Sequence, residues 1–198
     1  PPTLTGVLQA RVDSLPAREK LTLQQAAAVG MVFWEQALAA IDAHAPSALP
    51  ALVQRGLLQP HENTTLEGQR EYGFKNQILQ QVVYEGLLRR DRRAWHAGIA
   101  GWLVGIDGHR AREALGLAAH HLERAGNPTQ AGRYYAQAAE DAAARYANTA
   151  MLAFVERALA LADAADFETR WRAHLVRERH LIHTTDRAAH EAELQTLA

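Results

Sequence analysis

The chain contains no cysteine. That excludes disulfides, thiolate catalysis and cysteine-bound zinc, and it fits a reducing cytoplasm, the compartment expected here. Lysine is nearly missing as well, with Lys20 and Lys75 the only two among 198 residues. No glycine-rich loop ending in Gly-Lys-Ser or Gly-Lys-Thr occurs, so P-loop nucleotide hydrolysis has no place in these residues. Serine is confined to Ser14 and Ser47, both at expected helix starts, where capping accounts for them better than nucleophilic catalysis does. No apolar run approaches the roughly 18 residues of a spanning helix, so no membrane partner is expected. An excess of one charge is lacking too. With 21 basic and 22 acidic side chains the net charge is -1, which supplies no global field to draw the chain onto nucleic acid.

What is present is a composition that is 48% hydrophobic, rich in alanine and 22% charged. It predicts a mainly α protein with helices packed at close range. The opening Pro1-Pro2-Thr3, with Met31 as the first methionine, reads as part of a longer protein, and no secretory signal pattern precedes it.

The periodicity predicts helices over Leu4–Val12, from Pro16 to Gly30, over Phe33–Ile41 and over Ala48–Leu58, with Pro50 in a first turn. Next, LLQPHENTTLEGQREYGFK carries two short extended pieces around a polar loop containing Gly68, a β-hairpin signal. Tyr72 and Phe74 alternate as in a half-buried strand, and Gly73 between them suggests close backbone approach. From Ile78 the period becomes helical, with Ile78, Leu79, Val82, Val83 and Leu87 on one face. Three short helices, a hairpin and a closing helix are the order of a winged helix.

Trp95, Ile99, Trp102, Leu103 and Ile106 then mark a further helix, and Gly105 and Gly108 its end. A domain boundary is expected near Gly108, giving a winged-helix domain over 1–108 and a tetratricopeptide-like helical array over 109–198. Ala119, Leu122 and Gly126, then Ala131, Tyr135 and Ala138, fit the two helices of one such unit. Met151–Leu161 reads as the next helix. Phe167–Thr184 and Arg187–Leu197 continue the pairing, with Trp171, Leu175 and Ile182 on one side.

Ten histidines raise a metal reading, above all His120-His121 and the His180, His183 pair. Adjacent histidines face different ways, and two on one helix lack a third ligand, so no metal is expected. His121 is expected inside a helix pair, His180 and His183 on a solvated surface. Arg89, Arg90, Arg92 and Arg93 form the densest positive cluster and could grip DNA phosphate. Asp91 interrupts them, and arginines at a helix end compensate its terminal carbonyls. The segment that would enter the major groove, SALPALVQRGLL, offers only Gln54 and Arg55, so nucleic acid is not expected as a partner.

The stretches LTGVLQARVDSLPAREKLTLQQAAAVG, FWEQALAAI, ALVQRGLL, REYGFKNQILQQVVYEGLLRRDRRAWHAGIAGWL, AAHHLERAGN and ARYANTAMLAFVERALAL, in this order and spacing, resemble signal-transduction ATPases of the STAND class. The resemblance is to bacterial members in which a nucleotide-binding module is followed by a winged helix and tetratricopeptide-like repeats. Some carry an adenylate or guanylate cyclase domain, others a LuxR-type DNA-binding domain. The resemblance implies a non-catalytic regulatory and protein-interaction region. Its partners would be an ATPase module of the same chain, where ATP or ADP binds, and a protein on the repeats, with no cofactor in these residues. Alternatives are a DNA-binding regulator, or the gating region of a nucleotide cyclase.

In related ATPases the helix after the wing often starts with a phosphate-sensing histidine, in wording that here would be Phe-Lys-His. This chain has Phe74-Lys75-Asn76. Asn76 retains an amide that can donate to phosphate but lacks the charge of a protonated histidine, and Lys75 is a second candidate. Asn76 is equally readable as the N-cap of the following helix.

Overall fold

A computed structural model describes residues 3–66, 68–106, 111–182 and 194–196. The protein is mainly α, with ten helices and one small antiparallel sheet among the described residues. None of these helices is long and apolar enough to cross a membrane. Contacts divide the chain into two compact units, Pro1–Trp102 and Leu103–Ala198. Gly108 lies outside the described residues.

The first unit opens with α1 (Leu4–Asp13), capped by the Thr3 hydroxyl, which accepts from the Gly6 amide. α2 (Ala17–Val29) follows Pro16 and buries Leu23, Ala26, Ala27 and Ala28. Sequence periodicity places Phe33 and Trp34 in a helix; instead Val32–Trp34 is strand β1, and α3 covers only Glu35–Ile41. A β-branched residue and two aromatics suit a pleated surface, and pairing of Phe33 with Tyr72 decides the matter.

The helix expected over Ala48–Leu58 is shorter and split. A 3-10 turn over Ala45–Ala48 leads into α4 (Leu49–Gln54), with Pro50 in its first turn. Gly56, at φ +67, stops it: the Leu57 amide turns back to the Leu52 carbonyl, and Leu58 goes into strand β2 (Leu58–His61). A left-handed residue just past the last turn ends helices this way, and glycine adopts it without a Cβ penalty.

Strand β3 (Glu71–Phe74) lies between β1 and β2, so the hairpin predicted from sequence forms and gains a third strand. Pro60 sits on edge strand β2, where its missing N–H does no harm. Phe33 and Phe74 are fully buried, with ring centroids 6.1 Å apart, and Tyr72 stacks on Phe33 at 5.9 Å. Each buried phenyl contributes about 1.5–3 kcal/mol by leaving water.

α5 (Gln77–Glu85) buries Leu79, Val82 and Val83 and packs on α1 and α2. Ile78, expected on the same face, is 41% exposed, because it sits in the first turn beyond the edge of that contact. α6 (Arg89–Val104) buries Ile99 and Leu103, and Trp102 lies 5.7 Å from the Trp34 ring.

The second unit is built from α7 (Ala111–Ala125), α8 (Pro128–Ala144), α9 (Asn148–Leu161) and α10 (Phe167–Leu181). Ala119, Leu122, Ala131, Tyr135 and Ala138 are all buried, and Gly126 turns the chain at φ +86. Small residues let these helices approach closely. A Cβ on Gly132 would stand 3.5 Å from the Ala158 carbonyl, and one on Gly116 only 2.5 Å from the Phe154 ring.

α10 corrects another expectation. Its buried residues are Thr169, Ala173, His174 and Val176, and it packs on α8 and α9, whereas Trp171 and Ile182 are exposed and Phe167 stacks on Trp171 at the surface. Three- and four-residue spacing alone fits both stripes, and the contacts with α8 and α9 select between them. The expected helix Arg187–Leu197 falls almost wholly outside the described residues.

Candidate functional site between strand β3 and helix α5

Asn76 takes extended backbone angles and directs its side-chain oxygen to the Ile78 and Leu79 amides, at 2.7 and 3.4 Å. It is therefore the N-cap of α5, an interaction that typically contributes about 1 kcal/mol. The oxygen is committed to the cap; the side-chain NH2 is the group left to donate to a ligand. Lys75 is exposed beside it and pairs with no carboxylate among the described residues, while its backbone amide donates to the Leu57 carbonyl. The structure thus brings the two candidate residues to one solvent-facing corner.

Behind that corner lies a polar cluster that sequence reasoning missed. Glu71 is only 4% exposed, yet its carboxylate collects four donors. One oxygen accepts from the Thr65 amide at 2.9 Å, the Thr65 hydroxyl at 2.7 Å and the Trp34 indole at 3.1 Å; the other lies 2.9 Å from His61 Nδ1. One side chain therefore ties β3 to β1, to β2 and to the loop between β2 and β3. Burial alone would push its carboxyl up, but the Thr65 amide and hydroxyl and the His61 ring outweigh burial, and it sits below its ordinary value.

Gly73 explains the position of His61. A Cβ there would lie 2.7 Å from His61 Nε2, so the ring can lie across β3 only over a glycine. The close approach suggested by Gly73 is real, with the His61 side chain as the approaching group. The local pattern Glu71-Tyr72-Gly73-Phe74 carries no mark of the donors that Trp34, His61 and Thr65 bring to the cluster.

The serines act on carbonyls and not as helix openers. Ser14 donates to the Arg11 carbonyl at the end of α1, and Ser47 to that of His44. Pro16 is at the cap position before α2, so the expected N-cap role of Ser14 is corrected.

α4 has six residues, and Arg55 after it is held by Glu19 at 2.6 Å. Gln54 alone remains for reading bases from that segment. In the arginine cluster, Arg92 sits in the first turn of α6 and reaches back to the carbonyls of Tyr84, Glu85 and Leu87, where α5 ends, with its guanidinium 4.4 Å from the Tyr84 ring centroid. This is the compensation of helix-end carbonyls expected from sequence, delivered by the next helix. Arg90 lies against Asp91, and Arg89 and Arg93 are exposed.

In the second unit His121 is buried, while His120 is exposed and its ring meets that of His121 edge to face at 5.6 Å. His180 is half-buried rather than fully solvated, and His183 lies outside the described residues. Among the described residues no group of three or more histidine, aspartate or glutamate side chains is arranged to hold a metal ion.

No family model matches the chain, and no solved structure matches it. Over 94 residues, 48% of this chain, it is 30% identical to an uncharacterized protein, R02095, of Rhizobium meliloti (strain 1021). The matched region spans 9% of that relative's length, so the similarity is between this chain and a small part of a much larger protein.

Proposed function

We propose that this chain is a non-catalytic regulatory region of a multidomain signal-transduction ATPase of the STAND class. The first unit is the winged helix, and it couples the nucleotide state of an ATPase module to partner binding on the helical second unit. The observation that carries this reading is the exposed corner where Lys75 and Asn76 stand side by side between β3 and α5. A lysine ammonium and an amide donor there suit a phosphate oxygen of a nucleotide held by another module. The element order of strand, two short helices and hairpin after α2 supports the winged-helix assignment. The short α4 and the engaged Arg55 speak against a DNA-reading role.

Nucleotide exchange in the parent ATPase tests it. Lys75→Ala and Asn76→Ala each accelerate ADP release, as does Asn76→Asp, which keeps the cap while replacing the amide donor with an anion. Unchanged exchange in Lys75→Ala and Asn76→Asp would remove the sensing role. Salt-sensitive binding to mixed duplex DNA, lost when Arg89 and Arg93 are changed, would replace the proposal with a DNA-binding one.

A further inference from the structure

Cavities open along α8 in the second unit, and their linings differ. The cavity beside Arg133 and Arg172 has its charges already paired, Arg133 with Asp166 and Arg172 with Glu168. The one between Arg112 and Asp141 shares Glu140 with the third cavity, but its Asp141 is paired with Arg145 and no buried apolar side chain lines it. The third, of 350 Å³, lies where α8 ends, α9 begins and α10 runs past. There Arg179 on α10 and Glu140 on α8 both line the space, and neither has an ion-pair partner among the described residues.

The remaining lining is of two further kinds. Met151 and Val176, both buried, give an apolar floor. Tyr146, in the turn between α8 and α9, is 88% exposed at the lip, on a backbone at φ +58, a conformation rare for a bulky residue. His180 adds a ring nitrogen next to Arg179.

We propose that this cavity binds a small zwitterion with an apolar side chain, of the α-amino-acid class. Arg179, with His180 beside it, takes the carboxylate, because a guanidinium without a protein partner matches that group in charge and fork geometry. Glu140 takes the ammonium, and the Tyr146 ring offers the same cation a π face. Met151 and Val176 receive the apolar side chain. The volume is at the small end of the range for ligand sites, which suits a molecule of this size and excludes large cofactors. Each recognition group alone would accept many compounds; the three together demand both charges and an apolar body on one small frame.

Binding by this cavity does not depend on the regulatory reading; only its use as an input signal rests on that reading. Calorimetric titration of the 198-residue chain with L-phenylalanine and L-leucine tests the site itself. Binding is expected with a dissociation constant between about 10 μM and 1 mM. Arg179→Gln and Glu140→Gln, both at exposed positions where folding is undisturbed, each weaken it by about tenfold or more. Phenylacetate, which lacks the ammonium, and phenethylamine, which lacks the carboxylate, bind more weakly by a similar factor.

No heat from either amino acid at about ten times the weaker limit would overturn the proposal. So would affinity unchanged in both variants, or phenylacetate binding as tightly as L-phenylalanine. If the amino acid binds and yet leaves nucleotide exchange in the parent ATPase unaltered, the site stands and its regulatory use falls.

Discussion

The two units solve the packing problem by different means. The first combines short helices with a three-stranded sheet, and its order depends on a few large or polar side chains: Phe33, Phe74, Trp34 and the buried Glu71. Among the described residues the second is built on four helices whose contact faces are largely alanine and glycine, with Ala131, Ala138, Ala139, Ala142, Ala158 and Ala173 buried. A unit centred on one carboxylate is vulnerable to loss of a single group. A unit made from close helix approach is vulnerable to added volume.

The sharpest break in that comparison is Glu71→Ala. It leaves the Thr65 amide and hydroxyl, the Trp34 indole and His61 without their acceptor, and destabilisation of the first unit by about 3 kcal/mol is expected in urea unfolding followed by Trp fluorescence. Glu71→Gln costs less, since one oxygen acceptor survives. The matching lesion in the second unit is Ala139→Leu, which adds volume at a position with no exposed surface and costs about 2 kcal/mol by overpacking. Ala139→Gly in the same helix removes little contact and costs about 1 kcal/mol, mainly through helix propensity. Equal effects from Leu and Gly there would show that close approach is not what holds the unit.

Acid and alkali separate the units further. The Glu71 carboxyl is depressed in the folded protein, so its contribution is fully present above the ordinary carboxyl value of 4.5 and is lost as pH falls through the lower folded value. Glu71→Gln flattens this acid limb of the first unit's stability profile. In the second unit, burial first and then Glu123 push the Tyr135 hydroxyl up to about 12. Its contribution is complete below the ordinary value of 10 and is lost as pH rises from there through about 12; Tyr135→Phe flattens that alkaline limb, measured by circular dichroism.

The smallest expected effect belongs to the corner at α5. Asn76→Ala lowers the stability of the first unit by about 1 kcal/mol through loss of the cap, while Asn76→Asp leaves it nearly unchanged. Thermal unfolding of the two variants separates the capping role from any ligand role, because only the first should shift the midpoint.

Much of the helical layout was legible in the sequence. α1, α2, α9 and the hairpin follow from apolar spacing, Pro16, Gly30 and the polar loop around Gly68, all of them local signals. β1 was not legible, because three residues carry no periodicity and Phe33 fits a helical stripe as well as a strand. The buried face of α10 was misjudged for a related reason: Trp171 is the larger residue, but Thr169, Ala173, His174 and Val176 are the ones buried, and only the position of α8 and α9 selects that side. For the candidate site, Asn76 and Lys75 were visible as a departure from a family pattern. The Glu71 cluster was not, since its donors come from positions as distant as Trp34 and Thr65.

By itself the sequence determined that this is a mainly helical chain without cysteine chemistry or a P-loop, that a strand gives way to a helix near Phe74, and that Asn76 stands where that helix begins. These are properties of composition and of neighbours along the chain. Only the tertiary structure decided that Glu71 would be buried and ionised, that Arg92 would serve the preceding helix, and that Arg179 and Glu140 would share a cavity. Each of those outcomes depends on which distant groups a fold brings within hydrogen-bonding or van der Waals reach, and local pattern carries no record of that distance.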